Sequence, residues 1–188
     1  MLEEGLGNIP EVSNPAPKVK DHVKGSKYFD NFYITYNKSS ALKIVFTKSN
    51  FKLIFTKKPE NLSWKDSWKT KTKAFLCKFK EAYLIADIIN ILLKYNSFEN
   101  FPKGWNTIVH FPDKNDRKIT TTVTFSKVVR EKAGKMDIKY AIIYHYPKED
   151  IKISLLVDKY ELLLIKNILT QNVPRYAIKY NQDSLREK

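Results

Sequence analysis

From residue 28 onward, apolar and polar residues alternate in short runs. Residues 32–37 (FYITYN), 41–48 (ALKIVFTK), 51–57 (FKLIFTK) and 69–80 (KTKTKAFLCKFK) are rich in β-branched and aromatic side chains. Turn-forming residues separate them at Asn37-Lys38-Ser39-Ser40, Ser49-Asn50 and Pro59-Glu60-Asn61, so the links are short enough for antiparallel hairpins. The period then changes. Leu84, Ile88, Ile91, Leu92 and Tyr95 recur at helical spacing, with Ile85, Ile89 and Leu93 widening the stripe, which predicts a helix over about residues 81–95 buried on more than one side.

After a linker at residues 96–104 the same order recurs. Residues 107–111, 118–128, 138–146 and 151–157 read as four more strands, followed by a helix over about residues 159–172. Asp158 and Glu161 are spaced as a capping box for that helix, and Pro174 should stop or kink it. The pattern predicts an α+β fold of two ββββα modules, whose antiparallel four-stranded sheets pack with two buried helices. The proline- and glycine-bearing residues 1–27 read as a flexible arm, residues 28–180 as one domain of two modules (28–98 and 105–180), and residues 181–188 as a tail.

In the second strand Leu42, Ile44 and Phe46 alternate with Lys43, Val45 and Thr47, and in the fourth Lys69, Lys71 and Lys73 fall on one side. The sheets should therefore turn an apolar face inward and a lysine-bearing face outward.

Charge sharpens this picture. The formal net charge is +14, and between Lys38 and Lys80 twelve lysines stand against two acids, Glu60 and Asp66. Residues 103–152 carry eleven basic side chains against six acids, so the first module is the more cationic. A phosphate-bearing partner is the leading inference; a merely solubilising lysine surface is the alternative. Only four arginines occur, which argues against bidentate reading of guanine and for weak sequence preference.

The candidate contacts are Lys38, Lys43, Lys48, Lys69, Lys71, Lys73 and Lys78 for phosphates, with Tyr33, Tyr36, Trp64 and Trp68 for bases. Tyr33 and Tyr36 fall on opposite faces by alternation. Trp64 and Trp68 lie in what reads as a polar loop, where they either fold onto the core or serve as stacking platforms. Tyr140, Tyr144 and Tyr146 share a stripe with Ile138 and Ile142 that is core or ligand surface, and Thr120, Thr122 and Thr124 present a hydroxyl edge.

Catalytic and metal chemistry find no support. His22, His110 and His145 are scattered, Asp113 and Asp116 sit in a charged turn, and the five glycines are too dispersed for a phosphate loop. No cofactor is implied. Cys77, the single cysteine, falls in an apolar strand as a buried thiol, which excludes an intrachain disulfide and points to an intracellular protein. No apolar run is long enough for a membrane span, and Glu3 and Glu4 stand where a signal peptide would be basic.

Four strands and a helix, twice over, with a basic first sheet, resemble the single-stranded-DNA-binding transcriptional regulator superfamily, which includes the Whirly proteins, the Pur proteins and the mitochondrial guide-RNA-binding proteins of trypanosomes. Whirly proteins carry Tyr-Lys-Gly-Lys-Ala-Ala-Leu at the start of the second strand; the comparable stretch here is Tyr36-Asn37-Lys38-Ser39-Ser40-Ala41-Leu42. Tyr36, Ala41 and Leu42 match, both motif lysines and the glycine do not, and Lys38 lies within the turn. Phe32-Tyr33 is similar to the aromatic opening strand of Pur repeats. The resemblance implies a non-enzymatic protein that binds single strands, DNA sooner than RNA, across its sheet surfaces. Service in replication, recombination, repair or transcription would follow. So much apolar helix surface also points to a homo-oligomer, a dimer or higher. A structural or assembly protein and an RNA-binding protein remain the alternatives.

Overall fold

The computed structural model describes residues 28–47, 50–111, 120–132 and 134–186. The expected arm at 1–27, Lys48, and the charged turn with Asp113 and Asp116 lie outside the described residues. The first module forms β1 (Tyr28–Tyr36), β2 (Ser40–Thr47), β3 (Asn50–Lys57), α1 (Trp64–Thr70), β4 (Thr72–Lys78) and α2 (Phe79–Lys94). The second forms β5 (Thr107–His110), β6 (Thr121–Lys132), β7 (Lys135–Tyr146), a 3-10 turn (Pro147–Glu149), β8 (Ile151–Val157) and α3 (Lys159–Arg186). Each set of four strands makes an antiparallel sheet in chain order, β1-β2-β3-β4 and β5-β6-β7-β8. The predicted pair of ββββα modules is the observed architecture.

Alternation sorts the faces, although in β2 Ala41 and Val45 of the other face are buried as well. Leu42, Ile44 and Phe46 of β2, Phe51, Leu53 and Phe55 of β3, and Phe75 and Cys77 of β4 are buried together. They meet Val123 and Phe125 of β6, Tyr140, Ile142 and Tyr144 of β7, and Ile153, Leu155 and Val157 of β8 in one core. The tyrosine stripe of β7 is therefore core at Tyr140 and Tyr144, and the Phe55 and Tyr144 rings stack across the sheets at 5.4 Å. Burial raises the pKa of both tyrosines.

Helices α2 and α3 pack against each other, and each touches both sheets. In α2 the buried side chains are Ala82, Ile85, Ala86, Ile88, Ile89 and Leu92. The stripe is thus rotated from the predicted one, and Leu84 and Tyr95 are exposed. In α3 the expected capping box is present: Asp158 Oδ1 accepts from Glu161 N at 2.8 Å, and Glu161 Oε2 accepts from Asp158 N at 3.0 Å.

Two expectations are corrected. Residues 64–70 form helix α1 instead of a loop and the start of a strand, because Ser63 caps it, accepting from Asp66 N at 3.2 Å, while Ser67 N donates to Ser63 O. The fourth strand consequently begins at Thr72, and Lys69, Lys71 and Lys73 do not share a strand face. Helix α3 also continues through Pro174 to Arg186 instead of ending near residue 172, and so takes in most of the expected tail. A mid-helix proline costs about 3 kcal/mol. Burial offsets it here, since Val173 is enclosed and the Tyr176 ring stacks on Phe46 at 5.0 Å.

Candidate nucleic-acid interface

The outward face of the first sheet is set by register. Lys43 of β2 lies opposite Ile54 of β3, which lies opposite Ala74 of β4; the next row is Val45, Lys52 and Leu76, and Lys78 follows beside Asn50. At one end of this face β1 delivers Tyr36, opposite Ala41 and 47% exposed. Helix α1 brings Trp64 and Trp68 to the same place, because residues four apart share a helix side. The Tyr36 ring sits edge-on to Trp64 at 4.9 Å and to Trp68 at 6.4 Å.

Two ammonium groups complete the cluster. Lys43 Nζ lies 5.9 Å from the Trp68 ring and Lys58 Nζ 6.0 Å from the Trp64 ring, within cation–π range. Partial burial lowers the Lys43 pKa, so its charge is under-solvated and gains from an arriving anion. Both indoles are half-buried, neither consigned to the core nor left in water.

The remaining sequence-chosen residues divide. Lys38 is exposed in the β1–β2 turn, where Asn37 Oδ1 accepts from the backbone of Ser39 and Ser40, and Lys58 N bonds Ser39 O beside it. Lys69 and Lys71 are exposed at the end of α1. Lys78 is exposed at the far end of the same sheet face. Lys73 is on the opposite, core-facing side of β4, across from Phe55, and pairs there with Glu149 of the second module. Tyr33 stands opposite Ile44 in the register, and its side chain is outside the described ones.

Sequence reasoning missed Lys58, Lys52 and the exposed Leu76. Lys58 was visible only as one more lysine of the run. Leu76 falls in the apolar end of residues 69–80, where alternation puts it on the face opposite Phe75 and Cys77.

The second sheet is milder in chemistry. Thr122, Thr124 and Ser126 share the outward face of β6, with Thr107 and Thr124 hydroxyls 3.0 Å apart. Among the described residues no group of three or more His, Cys, Asp or Glu side chains could hold a metal ion, and no helix is long and apolar enough to cross a membrane.

Solved structures with this arrangement of two sheets and two terminal helices exist. Matched at probability 1.00 are the plant transcriptional regulator PBF-2, with 14% identity, TM-score 0.52, and 87% of this chain and 98% of that chain covered, and WHY1 from Arabidopsis thaliana, with 11% identity, TM-score 0.51, and 86% and 92% covered. WHY3 from the same plant matches at 10% identity and TM-score 0.50, covering 85% of this chain and 94% of that one. The chain has the Whirly fold. No protein-family model matches the sequence, and no curated protein matches it significantly. Within the Whirly fold, the stretch from Tyr36 to Leu42 is the β1–β2 hairpin: Tyr36 stands at the aromatic cluster, while Ala41 and Leu42 are buried.

Proposed function

We propose that this protein is a non-enzymatic binder of single-stranded nucleic acid, DNA in preference to RNA and with little sequence preference, serving replication, recombination, repair or transcription. The observation that carries the reading is the cluster of Tyr36, Trp64 and Trp68 with Lys43 and Lys58 on the outward face of a cationic sheet. Half-buried rings supply stacking surfaces that accept any base, and ammonium groups beside them meet the intervening phosphates. Lysine, a point charge on a flexible stem, holds a phosphate without reading a base edge. The Whirly fold and the superfamily resemblance of the sequence agree with this use of the sheet.

The working form is a homo-oligomer inside the cell. Tyr83 and Leu84 on α2 and Tyr160 and Leu164 on α3 are exposed, and apolar helix surface of this kind is covered by association of copies. The same surface favours the rival reading, an assembly protein whose lysines only keep it soluble. Anisotropy with labelled oligo-dT, its duplex and its RNA counterpart separates the two. Single strands are expected to bind best, with affinity falling steeply as salt rises; failure of every single strand to bind below about 10 µM at low salt removes the nucleic-acid reading. Light scattering in parallel reports the assembly.

A further inference from the structure

Between β4, an edge strand of the first sheet, and β5, an edge strand of the second, lies an open cleft of about 700 Å³. Leu76, Val109 and Phe111 wall it, and all three are exposed. Lys78 and Lys80 stand at its rim. Glu81 is the one carboxylate among its described lining residues, and it is already engaged: Oε2 accepts from Lys78 N at 2.6 Å, and Oε1 lies 2.6 Å from His110 Nε2. The cleft is therefore apolar within and cationic at the mouth.

One segment of the chain has the opposite character. Residues 1–17 hold Glu3, Glu4 and Glu11 and neither lysine nor arginine, in a chain whose net charge is +14, and Leu2, Leu6, Ile9 and Val12 are interspersed with those acids. The point where this segment joins the fold puts the cleft within its reach. Tyr28 pairs with Thr47, Thr47 Oγ1 donates to Asn50 O at 2.9 Å where β2 passes to β3, and Asn50 pairs with Lys78. The chain thus enters the first sheet in the row that ends at the rim, three strand spacings or roughly 14 Å away. Residues 18–27 can span up to about 33 Å, more than twice that distance.

We infer that residues 2–12 (LEEGLGNIPEV) seat in this cleft, with Leu6 and Ile9 against Leu76, Val109 and Phe111 and the glutamates on Lys78 and Lys80. Charge and apolar pattern match, and the tether selects this occupant over a free peptide of like composition, because it supplies an effective concentration on the order of millimolar. Edge strands also offer backbone groups to an extended segment, and residues 2–9 contain no proline to prevent pairing. Leu76 and Lys78 belong to the outward face that bears Lys43, so the seated segment competes with a strand bound on that face; this consequence rests on the single-strand reading above.

The test uses the full chain throughout. Asn8→Cys with Ala74→Cys puts one thiol in the segment and one in the cleft, and the buried Cys77 stays out of the exchange. Under mild oxidation N8C/A74C should form an intrachain disulfide, and should do so about 10-fold more slowly when L6S/I9S or K78Q/K80Q is added. Equal rates in the three backgrounds overturn the docking. So does an interchain bond, which makes a second copy's segment the occupant, and so does the absence of any bond, which leaves the cleft to a separate partner. L6S/I9S, which changes no charge, should also bind labelled oligo-dT roughly 5-fold more tightly than the wild-type protein, because the competing segment is released. Unchanged affinity overturns the competition. Failure of both proteins to bind oligo-dT instead strikes the single-strand reading and leaves the disulfide result standing.

Discussion

Thr35 Oγ1 donates a 2.6 Å hydrogen bond to Glu161 Oε1, although 126 positions separate the two residues. Thr35 is in the first strand of the first module and Glu161 is the third residue of the second module's helix. The other oxygen of Glu161 caps that helix through Asp158 N. Glu81, third in α2, repeats both roles: it caps through Lys78 N and reaches His110 in the first strand of the second module. Each helix thus uses one carboxylate to cap itself and to bind the opposite module, and the two modules are clamped reciprocally.

Removing one clamp should cost stability well beyond a surface substitution. Glu161→Ala loses a cap and a charge-assisted bond to a buried hydroxyl, about 2–3 kcal/mol together. Glu161→Gln keeps an oxygen and should lose less than half of that. Urea denaturation gives both values, and a cycle with Thr35→Val should show coupling between the two sites.

Lys43 opposes stability to binding. Its pKa is lowered from 10.5 by burial, so the folded state disfavours its charged form. The penalty is present in full below the folded pKa and fades as pH rises through it towards the unfolded value. Lys43→Met should therefore hold or raise the melting temperature at pH 7, with the difference vanishing near pH 10.5. The same variant should bind oligo-dT more weakly, with a log-log salt slope shallower by about 0.7.

Trp64 and Trp68 should differ from Lys43 in salt. Alanine at either position is expected to weaken binding about 5- to 100-fold while leaving the salt slope unchanged, because a stacking surface and not a phosphate contact is lost. Titration with oligo-dT should quench indole emission. Binding without quenching would show that the rings do not meet the strand.

Cys77 should be silent to a thiol reagent. Burial, with the nearby Glu81 charge, raises its pKa well above 9.0. In the native protein at pH 8 its reaction with a disulfide reagent should proceed only as fast as the protein unfolds, and in urea it should be complete within the mixing time of a model thiol.

Local chemistry is enough for most of the framework. Period-2 alternation fixes β3, whose core-side residues alternate with part-exposed ones, β-branched and aromatic residues between turns fix β2, helical spacing fixes α2, and Asp158 with Glu161 marks the start of α3 through a bond pattern that is complete within four residues. The corrections arise where distant contacts outweigh local preference. The alternating lysines before Thr72 read as strand, yet Ser63 capping and the meeting of Trp64 and Trp68 with Tyr36 make a helix there. Pro174 reads as a stop or a kink, and the burial of Val173 and the stacking of Tyr176 on Phe46 carry the helix past it.

The candidate site divides in the same way. Cationic character and aromatic residues can be counted along the chain, but which lysines face outward depends on where β4 begins, and that is set by α1. Lys73 shares its side of β4 with Phe75 and Cys77 and so lies on the core side with Glu149, and Lys58 joins Trp64. The cleft has no local signature at all. Its walls come from the edges of two sheets, and Leu76, Val109 and Phe111 become a surface only when the packing of one module against the other leaves those edges side by side.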